Sequence, residues 1–220
     1  MDNRFEWNGG VSSAKRKKER HTFRPVEFFG HAVDIAPGEL FVPERGFKVL
    51  NYMPARSELQ PAPSSMPIYS IAVEQARAFD LFTDLLEPLG EELSVVLEST
   101  HDSTVSNRSR DYWSVGHDAI SLQSALVDYE DLLTKDGCTG LSILDENQHC
   151  EVMYTEDKSL HCYGTPGIMG KFQRILHRHN VLHRPEMKML FDQVAHIHRT
   201  TVEYCDRFHE LVERVGALSA

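Results

Sequence analysis

The chain lacks the features that most quickly betray a function. Its 220 residues contain no G-x-S-x-G, no glycine-rich phosphate loop and no H-E-x-x-H, so three common catalytic scaffolds have no foothold. No apolar run approaches the ~18–20 consecutive residues that a membrane span requires. The opening MDNRFEWNGG has neither the charged start nor the apolar core of a signal peptide. No membrane attachment and a cytoplasmic location are therefore expected. Cysteines are few and poorly spaced for chemistry. Cys138, Cys150, Cys162 and Cys205 stand 12, 12 and 43 residues apart, without a C-x-x-C pair for zinc or thiol–disulfide exchange. Reduced thiols packed as small hydrophobes are expected, and no cofactor is implied.

Basic charge is scarce where nucleic acid would need it. Residues 66–165 carry 5 basic and 19 acidic side chains, against 10 and 8 in residues 1–65 and 8 and 6 in residues 166–220. An acidic body repels a phosphate backbone, so nucleic-acid binding by the main domain is disfavoured. The basic run Lys15–Arg20 reads as a solubilising tail.

What is present is ordinary globular composition, 41% hydrophobic and 25% charged, which argues against wholesale disorder. Prolines at 25, 37, 43, 54, 61, 63 and 67 cut the first 65 residues into short pieces. An extended or disordered arm and linker is expected over 1–65, and a single α+β domain over 66–220. Ile68–Ala72 and Leu93–Leu97 read as strands. Between them Val73, Ala76, Phe79, Phe82, Leu85 and Leu89 recur at helical steps. A second helix carries Leu122, Ala125, Leu126, Tyr129, Leu132 and Leu133, with Asp118 as N-cap and Gly137 as a left-handed C-terminal residue. Strands over Thr139–Asp145, Gln148–Thr155 and Lys158–Tyr163 follow, with Val152 opposite Leu160 and Cys150 opposite Cys162. The expected sheet is small and mixed, a strand–helix–strand unit plus an antiparallel meander, with C-terminal helices at 168–180 and 186–214.

In the last helix Met187, Leu190, Val194, Ile197, Thr201, Tyr204, Phe208, Leu211 and Val215 step by three and four. That seam admits a protein partner or a homodimer through 187–215. Phe191, His198, Cys205 and Val212 widen the stripe, however, which favours packing on the body. Thr200-Thr201-Val202-Glu203 matches a capping box and would break the helix near 200.

Two places could carry chemistry. The polar stretch Glu98–Asp118 follows a strand end, where open sheets often bind ligands. It holds His101, Asp102 and His117 as candidate bases with carboxylate orienters, Arg108 and Arg110 as anion clamps, Asp111, and Trp113 as a stacking surface. The plainer reading is a solvated surface loop. Histidines number 12, but only His179 and His183 fall at a spacing that could converge, without a carboxylate or Cys beside them. No metal site is expected. Two functions remain: a non-catalytic binding or adaptor module, or a small-molecule enzyme using residues 98–118.

Overall fold

Alternating apolar residues draw most strands of this chain into one sheet. The computed structural model describes residues 24–52, 66–101, 110–192 and 194–219. Its strands are β1 (Val33–Ile35), β2 (Gly46–Tyr52), β3 (Met66–Ala72), β4 (Glu92–Ser99), β5 (Arg110–Asp118), β6 (Thr139–Asp145), β7 (Cys150–Tyr154), β8 (Leu160–Tyr163), β9 (His196–His198) and β10 (Leu218–Ser219). Its helices are α1 (Pro25–Phe29), α2 (Gln75–Leu85), α3 (Ala119–Val127), α4 (Glu130–Lys135), α5 (Pro166–Arg178) and α6 (Val202–Arg214). The fold is α+β.

The main sheet has eight strands in the order β10-β5-β4-β6-β7-β8-β3-β2. It is larger than the sequence suggested, and each of its ladders is antiparallel. β3 and β4 run in the same direction, but three strands separate them, so the expected strand–helix–strand unit does not pair its two strands. Cross-strand pairing puts Val95, Leu97, Leu141, Ile143, Val152 and Tyr154 on one face, each buried to 1% exposure or less. Burying such a side chain is worth roughly 1.5–3 kcal/mol, so this face decides where the helices dock. Phe79, Phe82 and Leu85 of α2, Phe172 of α5 and Phe208 and Leu211 of α6 all meet it, with Phe82 lying 5.6 Å from the Tyr154 ring.

Several expectations are corrected. Residues 24–52, assigned above to the arm, are packed: Phe28, Phe29, Val33 and Phe41 form a second buried cluster with Leu190. Pro25 there starts a helix rather than ending one, because the first helical turn needs no proline N–H. The helix expected over 186–214 is confined to Val202–Arg214. Thr201 caps it by accepting from the Tyr204 N–H at 3.2 Å. Ahead of it β9 pairs with β1 and Met187 and Leu190 are buried from turns. A seam of three- and four-residue steps was thus filled by separate pieces.

The helix expected between Asp118 and Gly137 is two, α3 and α4, joined through Asp128 and Tyr129. Asp118 is its N-cap, accepting from Ser121 N–H at 2.8 Å. Gly137 is there for another reason than a left-handed turn. A Cβ on it would lie 2.1 Å from the Ala32 carbonyl oxygen, where the backbones of 32, 137 and 199 cross. The β7–β8 register is shifted by two residues, with Val152 opposite Cys162 and Tyr154 opposite Leu160. The turn 155–159, closed by Thr155 N–H to Ser159 C=O at 3.0 Å, is longer than the earlier pairing assumed. Cys150 then has no cysteine opposite it. Residues 110–118, read as part of a loop, form β5, with one extra residue bulged opposite Leu93–Val95.

Candidate functional site

A buried polar cluster forms where β4 leaves the sheet. Ser99 is the last residue of β4, and Thr100 continues the pairing beside β6 through its N–H to Cys138 C=O at 3.0 Å. His101 follows in a turn, its Nδ1 2.7 Å from Ser99 Oγ and its ring 5.2 Å from that of Phe208. Asp136 enters from the end of α4, wholly buried. It accepts from Thr139 Oγ1 at 2.6 Å, and its Oδ2 stands 3.0 Å from His101 Nε2. That contact is an ion-pair distance without hydrogen-bond alignment, since His101 Nε2 has no aligned partner.

The β7–β8 turn supplies the other wall. Lys158 adopts a φ of +60°, a strained conformation for a side chain, and turns inward. Its ammonium donates to Leu133 C=O at 2.9 Å and Thr139 C=O at 3.1 Å. Glu156 of the same turn faces His198 of β9, with 3.8 Å between Oε2 and Nδ1. Among the described residues, five buried side-chain atoms here lack an aligned hydrogen-bond partner: Thr100 Oγ1, His101 Nε2, Asp136 Oδ1, Glu156 Oε1 and His198 Nε2. Native interiors leave few such groups, and each asks for an explanation.

The environments push the titrating groups apart. Burial raises Glu156, and the neighbouring Asp136 adds to that, against the lowering pull of Thr100, Lys158 and His101. Asp136 is buried too, but the His101 imidazole beside it and the hydroxyls of Thr139 and Thr200 outweigh desolvation and hold it below the usual carboxylate range. Burial brings Lys158 down to about 8 despite the carboxylates beside it. It also depresses His198, helped by the adjacent His196. Burial and the charges of Asp111, Glu156 and Glu151 raise Glu98, at the rim. A depressed carboxylate holding an imidazole, opposite a carboxyl that favours its acid form, is an arrangement for moving protons.

Of the residues singled out in the sequence, His101 lies in this cluster. Asp102 and Arg108 lie outside the described residues. Arg110 pairs across from Ser99 and Asp111 across from Glu98, both exposed at the start of β5. His117 pairs with Leu93, six strand residues from Ser99 and therefore about 20 Å away. Its Nε2 lies 2.7 Å from Ser114 Oγ, which donates to Val215 C=O, and burial lowers its pKa. His179 and His183 are not brought together. His179 Nε2 is 2.6 Å from Asp84 Oδ2, whereas His183 lies exposed against the Phe47 ring. Among the described residues no three His, Cys, Asp or Glu side chains converge to hold a metal ion, and no helix is long and apolar enough to cross a membrane.

Asp136, Glu156, Lys158 and His198 escaped the sequence reading. Asp136 and Glu156 sit beside turn signals, which mark exposure more often than burial, and nothing local reveals a lysine folded inward. A surface groove of about 570 Å³ between α2 and the α3–α4 pair is lined by Gln75, Asp128, Asp131 and Lys135. Within it Asp131 pairs with Lys135 and accepts from Tyr204 Oη. Comparison of the chain with family models, with curated proteins and with solved structures gives no match.

Proposed function

We propose that this protein acts on a small polar molecule by general acid–base chemistry, with His101 as base, Asp136 as the group that orients it and Glu156 as acid. The observation that carries this is the convergence of unpartnered buried polar atoms on a histidine–carboxylate pair. A structural network would satisfy its members, because an orphaned buried group costs about 1–3 kcal/mol. A ligand that supplies the missing hydrogen bonds accounts for them.

Thermal denaturation with a panel of small polar compounds tests this, because a ligand selective for the folded chain raises its Tm. At least one compound should do so with wild type and not with Asp136→Asn. Proton NMR should then show its conversion, slowed about 10²–10⁴-fold in His101→Gln. A broad panel without such a compound counts against the reading.

A second reading, a protein-binding module, draws on a different observation. β10 pairs only with Tyr112 and Trp113 of β5, and Trp113, Val115, Ile120 and Leu218 around that edge are exposed. A strand edge beside apolar side chains suits the addition of a partner strand. The seam of α6 does not offer this, because Phe208 and Leu211 are spent in the chain's own core. Val115→Lys leaving the solution mass unchanged at all concentrations would remove self-association through this edge.

A further inference from the structure

The β1–β9 ribbon meets the main sheet at a backbone crossing and at a contact between a histidine and a carboxyl. At the crossing Arg199 N–H donates to Ala32 C=O at 2.7 Å and Gly137 N–H donates to Arg199 C=O at 2.8 Å. Beside it His198 of β9 faces the β7–β8 turn, its Nδ1 3.8 Å from Glu156 Oε2. The outer atoms of that half-buried pair, His198 Nε2 and Glu156 Oε1, are shut from water without an aligned partner among the described residues. Charged and titrating groups surround the pair from each element packed on it. Asp157 and Lys158 come from the turn, Asp136 from the end of α4, Glu98 and His101 from β4 and its end, and Cys138 from just ahead of β6. His196, on the ribbon itself, has its ring 5.1 Å from that of His198.

A positive charge on His198 would stand beside Lys158 and His196, and a bare carboxylate on Glu156 beside Asp136 and Glu98. Both are costly where water is excluded. Burial accordingly lowers His198 and raises Glu156, although Thr100, Lys158 and His101 draw the carboxyl the other way. We propose that His198 and Glu156 form a latch, which holds one proton and closes the β1–β9 ribbon on the sheet as a neutral pair. Between the free values of about 4.3 for Glu and 6.5 for His, the open ribbon carries an imidazolium and a carboxylate. On closure the imidazolium N–H bond breaks, an O–H bond forms on Glu156, and no proton is exchanged with solvent. This concerns how the ribbon is held and stands apart from the acid–base reading above.

Removing either partner uncovers the other, with opposite signs. In Glu156→Gln only the imidazole titrates, with its folded value below the free one. Ribbon protection is then complete above about pH 6.5 and falls as pH drops, by at most about tenfold per pH unit. In His198→Gln only the carboxyl titrates, with its folded value above the free one. Protection is then greatest below about pH 4.3 and falls as pH rises. Amide exchange on the full chain reads this, as protection of β1 and β9 relative to the β6–β7 ladder, corrected for intrinsic rates. From pH 6.5 to 5 that ratio should fall about three- to tenfold in Glu156→Gln and rise about threefold in His198→Gln, with the wild type between them. Slopes that are absent or of the same sign in the two variants overturn the latch. Thermal denaturation shows whether the variants fold. Should either fail, nitrogen-15 and carbon-13 NMR of the wild type decides, because a shared proton makes the His198 ring and the Glu156 carboxyl respond in one step. A ring titrating alone near 6.5, apart from the carboxyl, overturns it equally.

Discussion

Two buried aspartates bracket β6, and they are treated differently. Asp145, at its C-terminal end, is 1% exposed and accepts from Gly90 N–H at 2.7 Å, Gln148 N–H at 2.9 Å and Gln148 Nε2 at 2.7 Å. Asp136, three residues before the strand begins, is equally buried, but one of its oxygens has no partner. Burial would raise both carboxyls, and in both the donated hydrogen bonds win and hold the pKa low. The first is a closed joint that ties the α2–β4 connection to the β6–β7 turn. The second lacks an aligned partner on one oxygen and lies beside a histidine. Burial and a depressed pKa therefore do not separate a structural carboxylate from a working one. On the function proposed above, the count of unmet hydrogen bonds does.

Substitution sharpens this contrast most. Asp145→Ala strands the Gly90 and Gln148 N–H groups and should cost about 3 kcal/mol or more in urea unfolding. Asp136→Asn keeps the shape, should cost about 1 kcal/mol or less, and should instead abolish ligand binding. The reverse ordering would break the comparison. The pH dependence follows with its sign. Both folded carboxyls lie below the unfolded aspartate value near 3.9, so their stabilisation is complete above about pH 4 and is lost as pH falls through the folded values. Asp145→Ala should therefore flatten the acid limb of the stability curve.

Lys158 gives the next largest effect. Its folded pKa of about 8 lies below the ordinary lysine value of 10.5, so the unfolded chain holds the extra proton between those two values. Stability attributable to Lys158 must then rise with pH across that window, by on the order of 3 kcal/mol at most. The buried thiols of Cys138, Cys150 and Cys162, whose pKa values burial raises, pull the whole protein the other way at alkaline pH. The measurement is accordingly a difference, wild type minus Lys158→Met, followed by urea unfolding from pH 7.5 to 10.5. A flat difference would show that the ammonium is not desolvated as its burial implies.

Gly137→Ala follows, with an expected loss of about 2 kcal/mol from forcing a methyl against backbone. Its Cβ would meet Ala32 C=O, which accepts from Arg199 N–H at 2.7 Å, while Gly137 N–H donates to Arg199 C=O at 2.8 Å. Amide exchange should report the damage locally, in β1 and β9. Protection in β6 should be unchanged.

Where a residue's role is set by its neighbours in sequence, it was legible. The meander β6–β7–β8, the stripe of α2 and the Asp118 cap all rest on spacing of two to four residues. The β7–β8 pairing slipped by two because alternation fixes which face a side chain takes but not how far one strand slides along the next. The polar cluster was legible only at His101. Asp136, Glu156 and His198 come from α4, a turn and β9, and meet through contacts as long in sequence as His101 to Asp136. Polarity in a sequence reads as exposure until a fold encloses it.

The smallest effect concerns the rim and runs against intuition. Burial and the neighbouring acids raise Glu98 above the ordinary carboxyl value, so the folded state favours its protonated form. The stability Glu98 confers is therefore greatest below the unfolded value near 4.3 and declines as pH rises through the folded pKa. Glu98→Gln should stabilise the chain by about 1 kcal/mol or less at pH 7, since Glu98 is half-buried and screened. The gain should vanish toward pH 4. Asp111→Asn, removing the partner across the ladder, should do the same more weakly. Were Glu98 a structural acid like Asp145, its removal would destabilise at neutral pH. A gain in stability on its removal is instead what a side chain that does not serve the fold produces.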